Sequence, residues 1–172
     1  MLTRRDFFQG SLGAVAVGAS RSVFPGSFGL ADAAAQASSR QKDDLVFATA
    51  RELAFWIRQR KVSSVEVVEA HSAQIARRNA ALNAIVTPDE QRARARAKEA
   101  DASLARGQVW GPLHGVPITI KDSLETAGLR TTLGFPPLAN YVPAADAPVV
   151  ARLRAAGAIL IGKTNLPELA LD

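Results

Sequence analysis

Two short apolar runs, Val116-Pro117-Ile118-Thr119-Ile120 and Ala158-Ile159-Leu160-Ile161, set the narrowest limits on how this chain folds. Both follow a glycine and carry branched residues suited to strands, and each is continuous enough to be buried. Between them, Asp146-Ala147-Pro148 opens a helix through Val149, Val150, Leu153 and Arg154, with Asp146 as its cap and Gly157 as its end. Strand, helix, strand is the pattern of a parallel βαβ unit, expected to be right-handed. The connection also holds a Gly-, Thr- and Pro-rich loop from Glu125 to Pro148. Loops of that length in a compact domain usually carry function or pass over a site.

Upstream, helix starts repeat one signature. Thr49-Ala50-Arg51-Glu52 is a capping box, in which the threonine hydroxyl accepts from the third helical N–H and Glu52 reaches back to the cap. Its helix is expected to run to about Arg60, with Leu53, Phe55, Trp56 and Ile57 on the apolar face. Ser63-Ser64-Val65-Glu66 repeats the device for a helix to about Asn79. Thr87-Pro88-Asp89-Glu90 predicts a third start, with proline at the first helical position, and Gly107 as a left-handed C-cap. Ala84-Ile85-Val86 is too short to assign and could be an edge strand. A further helical turn is expected from Leu166-Pro167-Glu168-Leu169. The sum is an α/β fold, with helices covering a sheet of which two or three strands are visible. Unpaired strand edges make that sheet incomplete and prone to aggregation, so the chain reads as part of a larger unit.

The 172 residues are 48% hydrophobic and 22% charged, a globular balance within the size of one domain. The net charge of +5 raises the question of a nucleic-acid partner. Arg77, Arg78, Arg92, Arg94, Arg96 and Lys98 fall on helical segments without interleaved aromatics, the pattern of a solvated face, so no nucleic-acid partner is expected. Without cysteine, disulfides and thiolate metal sites are excluded, and no metal or cofactor is expected. His71 and His114 are the only histidines, so a Ser-His-Asp triad could form only through them. His114 lies in a turn leading into a strand, where a structural role is the better reading.

Residues 1–37 read as an address. Thr3-Arg4-Arg5-Asp6-Phe7-Phe8-Gln9 resembles the twin-arginine export motif, and a weakly apolar span from Gly10 to Ala19 follows. That span is too short and mild for a transmembrane helix, so no stable membrane anchor is expected. Small-residue cleavage patterns at Ala31-Asp32-Ala33 and Ala35-Gln36-Ala37 leave two candidate processing points. The expected organisation is an export signal over 1–37, read by the twin-arginine machinery, and a folded part over 38–172. The expected location is periplasmic.

Gly157-Ala158-Ile159-Leu160-Ile161-Gly162-Lys163-Thr164 matches the phosphate-binding pattern G-x-x-x-x-G-K-[ST]. That chemistry needs a strand before the first glycine and a helix after the Lys-Thr pair. Here the order is inverted, and Pro167 keeps Leu166 out of helical geometry. The nucleotide-binding reading is therefore refused.

Four segments together resemble the amidase signature family. They are Leu113-His114-Gly115-Val116-Pro117-Ile118-Thr119-Ile120-Lys121-Asp122, Thr131-Thr132-Leu133-Gly134, Asp146-Ala147-Pro148-Val149-Val150, and Gly157 through Leu169. Their order and spacing agree with the family, and the resemblance extends upstream to about Thr49. It implies the N-terminal part of an α/β/α fold on a large mixed sheet, and hydrolysis of carboxylic amides, with a small-molecule amide as substrate. The family's catalytic groups are a lysine, a serine held by a cis peptide bond and a serine nucleophile. The lysine corresponds to Lys121. The serines belong to a Gly- and Ser-rich stretch that these 172 residues do not include, and Ser123 matches neither.

A lysine that acts as a base near neutral pH must be held largely uncharged, and burial is the usual cause. Lys121 is therefore expected at a strand end buried on both faces. Asp122 is expected to hold the turn, on the opposite side, without acting as a counter-ion. Lys163 reads as structural, and Thr164 and Asn165 as turn formers. Export favours an amidase of small or aryl/alkyl amides over a tRNA-dependent amidotransferase. A non-catalytic module built on the same framework is the alternative, and the 172 residues alone are expected to hydrolyse nothing.

Overall fold

The computed structural model describes residues 44–171. The twin-arginine motif and both candidate cleavage points lie outside them. Helix α1 (Ala50–Arg58) and helix α2 (Ser64–Leu82) start where their capping boxes predict. Thr49 Oγ1 accepts from Glu52 N at 3.2 Å while Thr49 N donates to Glu52 Oε2 at 2.8 Å, and Ser63 and Glu66 repeat the exchange. Two further N–H groups at the start of α2, those of Ser64 and Val65, donate to the Asp101 carboxylate at 2.7 and 3.1 Å. A carboxylate there also complements the positive end of the helix dipole. Asn83, at φ +47°, ends α2 in the left-handed region.

Strand β1 (Ile85–Pro88) takes the segment too short to assign from sequence, and it also takes Thr87 and Pro88. The expected cap at Thr87 is therefore corrected: helix α3 (Glu90–Ala105) begins after Asp89, with no side-chain cap. Pairing with a distant strand outweighs the local signal. Proline is tolerated because β1 is an edge strand among the described residues and needs no N–H there. Asp89 N donates to Ile161 O at 3.0 Å, and its carboxylate holds Arg92 at 2.7 Å. Gly107, at φ +79°, closes α3 as expected, with its N–H on Leu104 O.

Strand β2 (Pro117–Lys121), helix α4 (Pro148–Ala155) and strand β3 (Ile159–Thr164) form the predicted unit, with β2 and β3 parallel. Asp146 does not cap α4, a second correction. Its carboxylate accepts from Ala127 N at 2.8 Å and pairs with Arg154 at 3.0 Å, so it ties the long loop to the helix. Pro148 supplies the first-turn geometry instead. Turns of 3-10 helix at Pro136–Leu138 and Glu168–Ala170 complete the chain, the second kinked at Leu169.

The sheet is small and mixed, in the order β1-β3-β2, with β1 antiparallel to β3. Ile118 pairs with Leu160 but Thr119 pairs with Gly162, so Ile161 is a bulged residue without a partner on β2. Gly162 is required where β1 approaches, since a Cβ would lie 2.9 Å from both Thr87 O and Ile85 Cγ2. Ile159 and Ile161 pack with Val68, Ala93, Ala97 and Ala100 of α2 and α3. Leu160 and Ile120 pack with Leu129 of the loop and Val150 of α4. A third cluster joins α1 and α2 to Leu104 and Val116. Helices α2 and α3 on one group of side chains and α4 on the other give the α/β layering expected from sequence.

β3 is buried nearly throughout, as predicted, but β2 is not. Ile120 is buried while Thr119 and Lys121 are exposed. The expectation of a strand end buried on both faces is thereby corrected. Among the described residues, β2 has a neighbour on one edge only.

Candidate active site

Lys121 closes β2 and opens a turn, with Leu124 N donating to Lys121 O at 3.0 Å. Its side chain is exposed and makes no hydrogen bond or ion pair with the described residues. The next residue turns the other way. Asp122 is completely buried. Its Oδ2 accepts from Thr132 N at 2.9 Å and from Thr132 Oγ1 at 2.5 Å. Its backbone joins the turn to both neighbours, with Asp122 N on Thr164 O and Leu133 N on Asp122 O, each at 3.1 Å.

Lys163 reaches the same interior from β3 and is also completely buried. Its Nζ donates to Leu124 O at 2.7 Å and to Thr131 Oγ1 at 2.6 Å. Asp122 Oδ1 faces it at 3.7 Å and has no hydrogen-bond partner among the described residues. Burial pushes the Lys163 ammonium below the usual lysine range, and the charge of Asp122 opposes that shift. The reading of Asp122 as a turn holder stands, but it is also the counter-ion of a buried lysine, which sequence reasoning missed. Alternation along the chain was the available signal. Ile118, Ile120 and Asp122 share one parity, so a buried Ile120 implies a buried Asp122.

The loop beyond Asp122 is fixed to the segment after β3. Leu133 O accepts from Leu169 N at 2.9 Å. Leu133, Leu169 and Ala170 all have φ between +55° and +57°, a conformation costly for residues with side chains. Asn165 forms the turn predicted for it, accepting from Leu166 N at 2.9 Å through its side chain.

His114 has the structural role expected. It is completely buried, accepts from Trp110 N at 3.0 Å through Nδ1, and directs Nε2 at Ala100 O at 3.2 Å. An accepting Nδ1 puts the ring proton on Nε2, so this is a neutral imidazole. Burial lowers its pKa below the usual histidine value. The glycine-lysine motif is no phosphate cradle: Gly157 ends α4, and the backbone from Ile159 onward is paired with β1 and β2. A groove of about 500 Å³ between α3 and the loop is lined by Arg92, Arg96 and Arg154 with acidic neighbours, and it does not include Lys121.

The amidase family model matches residues 66–172. The chain belongs to the amidase family. It is 41% identical over 129 residues to the A subunit of glutamyl-tRNA(Gln) amidotransferase from Neorickettsia sennetsu, an alignment covering 75% of this chain and 27% of that protein. Among solved structures it resembles the peptide amidase from Stenotrophomonas maltophilia, with a TM-score of 0.67 and 32% identity over 71% of this chain and 25% of that one. A bacterial aryl acylamidase of the amidase signature family gives a TM-score of 0.67 and 27% identity, covering 72% and 26%. The chain thus spans about a quarter of the length of the amidases it matches. The α/β amidase-signature fold expected from sequence is the fold observed, and both lysine-bearing strands lie inside the matched region.

Proposed function

We propose that this chain carries the lysine of a serine–cis-serine–lysine amidase, and that Lys121 is the base. The observation supporting this is its placement: Lys121 ends a strand whose turn is tied down on both sides, yet its amine is free of partners among the described residues. An uncharged Lys121 takes a proton from the bridging serine, which takes one from the nucleophilic serine as it attacks the amide carbonyl. The amine leaves with the proton that Lys121 returns through the bridging serine, and water, deprotonated by the same route, hydrolyses the acyl-enzyme. The described residues do not bury Lys121, so the reading requires other groups of the enzyme to cover it.

The substrate proposed is a small or aryl carboxylic amide, in an enzyme exported through the arginine pair Arg4-Arg5. A second reading, one component of a tRNA-dependent amidotransferase, is favoured by the 41% identity to that relative in Neorickettsia sennetsu. One experiment separates them. The full-length gene product is purified alone and assayed for amine release from an anilide, beside its Lys121→Ala variant. Turnover without partner proteins that disappears in the variant supports the first reading. Activity only with partner proteins and tRNA supports the second, and turnover retained in Lys121→Ala removes Lys121 as the base. Fractionating cells that express the protein with Arg4→Lys and Arg5→Lys tests export, which requires a loss from the periplasm.

A further inference from the structure

Lys121 cannot act on a substrate reproducibly unless the turn it opens is held, and that turn is not held by local bonds alone. The Lys121–Leu124 hydrogen bond closes it at 3.0 Å, and the backbone of Asp122 ties its start to Thr164 and Leu133, while the carbonyl of Leu124 at its far end is held by side chains. Lys163 fixes that far end. Its ammonium donates to the carbonyl of Leu124, the last residue of the turn, and to Thr131 in the returning loop. Asp122, inside the turn, binds Thr132 beside it. Buried Lys163, Asp122 and Thr131, with the half-buried Leu124 and Thr132, therefore clamp the turn to β3 and to the loop.

We infer that Lys163 is a positioning residue for Lys121: it fixes the turn from Lys121 to Leu124, so that the exposed amine on the other side leaves the strand in one direction. This rests on the reading of Lys121 as the base. The geometry accounts for a feature otherwise unexplained. A buried lysine is costly, and a methionine would fill the space without charge, yet this one directs one short hydrogen bond at the turn that carries Lys121 and the other at the loop returning past it.

The test uses the full-length gene product with an anilide substrate and reads kcat and KM separately, with a thermal melt for each variant. Lys163→Met is expected to lower kcat on the order of 10- to 100-fold with KM little changed, because misplacement of a catalytic group by about 1 Å costs rates of that size. Thr131→Val keeps the buried charge and removes one acceptor, and it guards against a Lys163→Met protein that does not fold. It is expected to lower kcat in the same direction by about threefold, the loss of roughly half the clamp. A folded Lys163→Met with wild-type kcat overturns the inference, as does an unaltered kcat in Thr131→Val when Lys163→Met cannot fold. An equal effect on kcat and KM, or a loss explained by the melt, assigns Lys163 a structural role only. Lys121→Ala run in parallel separates the two ideas: if it retains turnover, the base assignment has failed; if it is inactive while Lys163→Met is normal, only the positioning role has.

Discussion

Asp122 Oδ1 and Lys163 Nζ stand 3.7 Å apart with no solvent-exposed surface on either side chain. Breaking a buried pair leaves one charge without compensation, which generally costs more than the pair contributes. Asp122→Asn is therefore expected to destabilise the fold by about 3 kcal/mol, read as a lower urea midpoint. Replacing both residues, as Asp122→Asn with Lys163→Met, should restore part of that loss. A double variant as unstable as the sum of its parts would mean that the two charges do not interact.

Glycines at positive φ should separate into two classes. Gly157, at φ +93°, would place a Cβ 2.8 Å from His114 Cα and 3.0 Å from His114 N, backbone that cannot yield. Gly107, at φ +79°, has open space around the same position. Gly107→Ala should cost about 1 kcal/mol from conformation alone, and Gly157→Ala at least about 3 kcal/mol. Equal losses in urea unfolding would contradict the contact.

Stability should fall on acidification through His114. The unfolded chain takes up a proton near pH ~6.5 that the buried imidazole resists, so the contribution is complete above that value and declines below it. The decline is at most about 1.4 kcal/mol per pH unit, and it ends once the folded state also binds the proton. Urea midpoints measured from about pH 8 to about pH 5 should show this slope, and His114→Gln should flatten it. An unchanged slope in His114→Gln would place the titration elsewhere.

Ser64 offers a gain. Its Oγ is buried without a hydrogen-bond partner among the described residues, while its backbone N–H serves Asp101. Ser64→Ala should leave the fold unchanged or more stable by up to about 1 kcal/mol, whereas Ser63→Ala, which removes a cap, should cost about 1 kcal/mol. Thermal melts should therefore show a lower midpoint for Ser63→Ala and no lowering for Ser64→Ala.

These residues also show what can be read from sequence. The capping boxes at Thr49 and Ser63 are contained in four residues each, and nothing distant competes for them. Thr87 carries a similar signal, but β3 claims it for a strand. Asp146 is likewise claimed by Ala127 and Arg154. The parallel unit is legible because a glycine leads into each strand and helical residues separate them. Burial at β2 is overestimated when its apolar residues are taken as a continuous run, because Thr119 and Lys121 alternate with Ile118 and Ile120. The pair formed by Asp122 and Lys163 joins residues far apart in the chain, and local pattern has no access to such a partner.

The bulge at Ile161 has a geometric consequence for the two lysines. With an unbroken ladder running on from the pairing of Ile118 with Leu160, Lys121 would lie beside Lys163, two like charges on neighbouring strands and on one side of the sheet. The extra residue advances β3 by one step, so Lys163 stands beside Ile120 and Lys121 beside Thr164. A stutter of a single residue thus sorts two identical side chains into different environments, one sealed within the protein and one open to solvent.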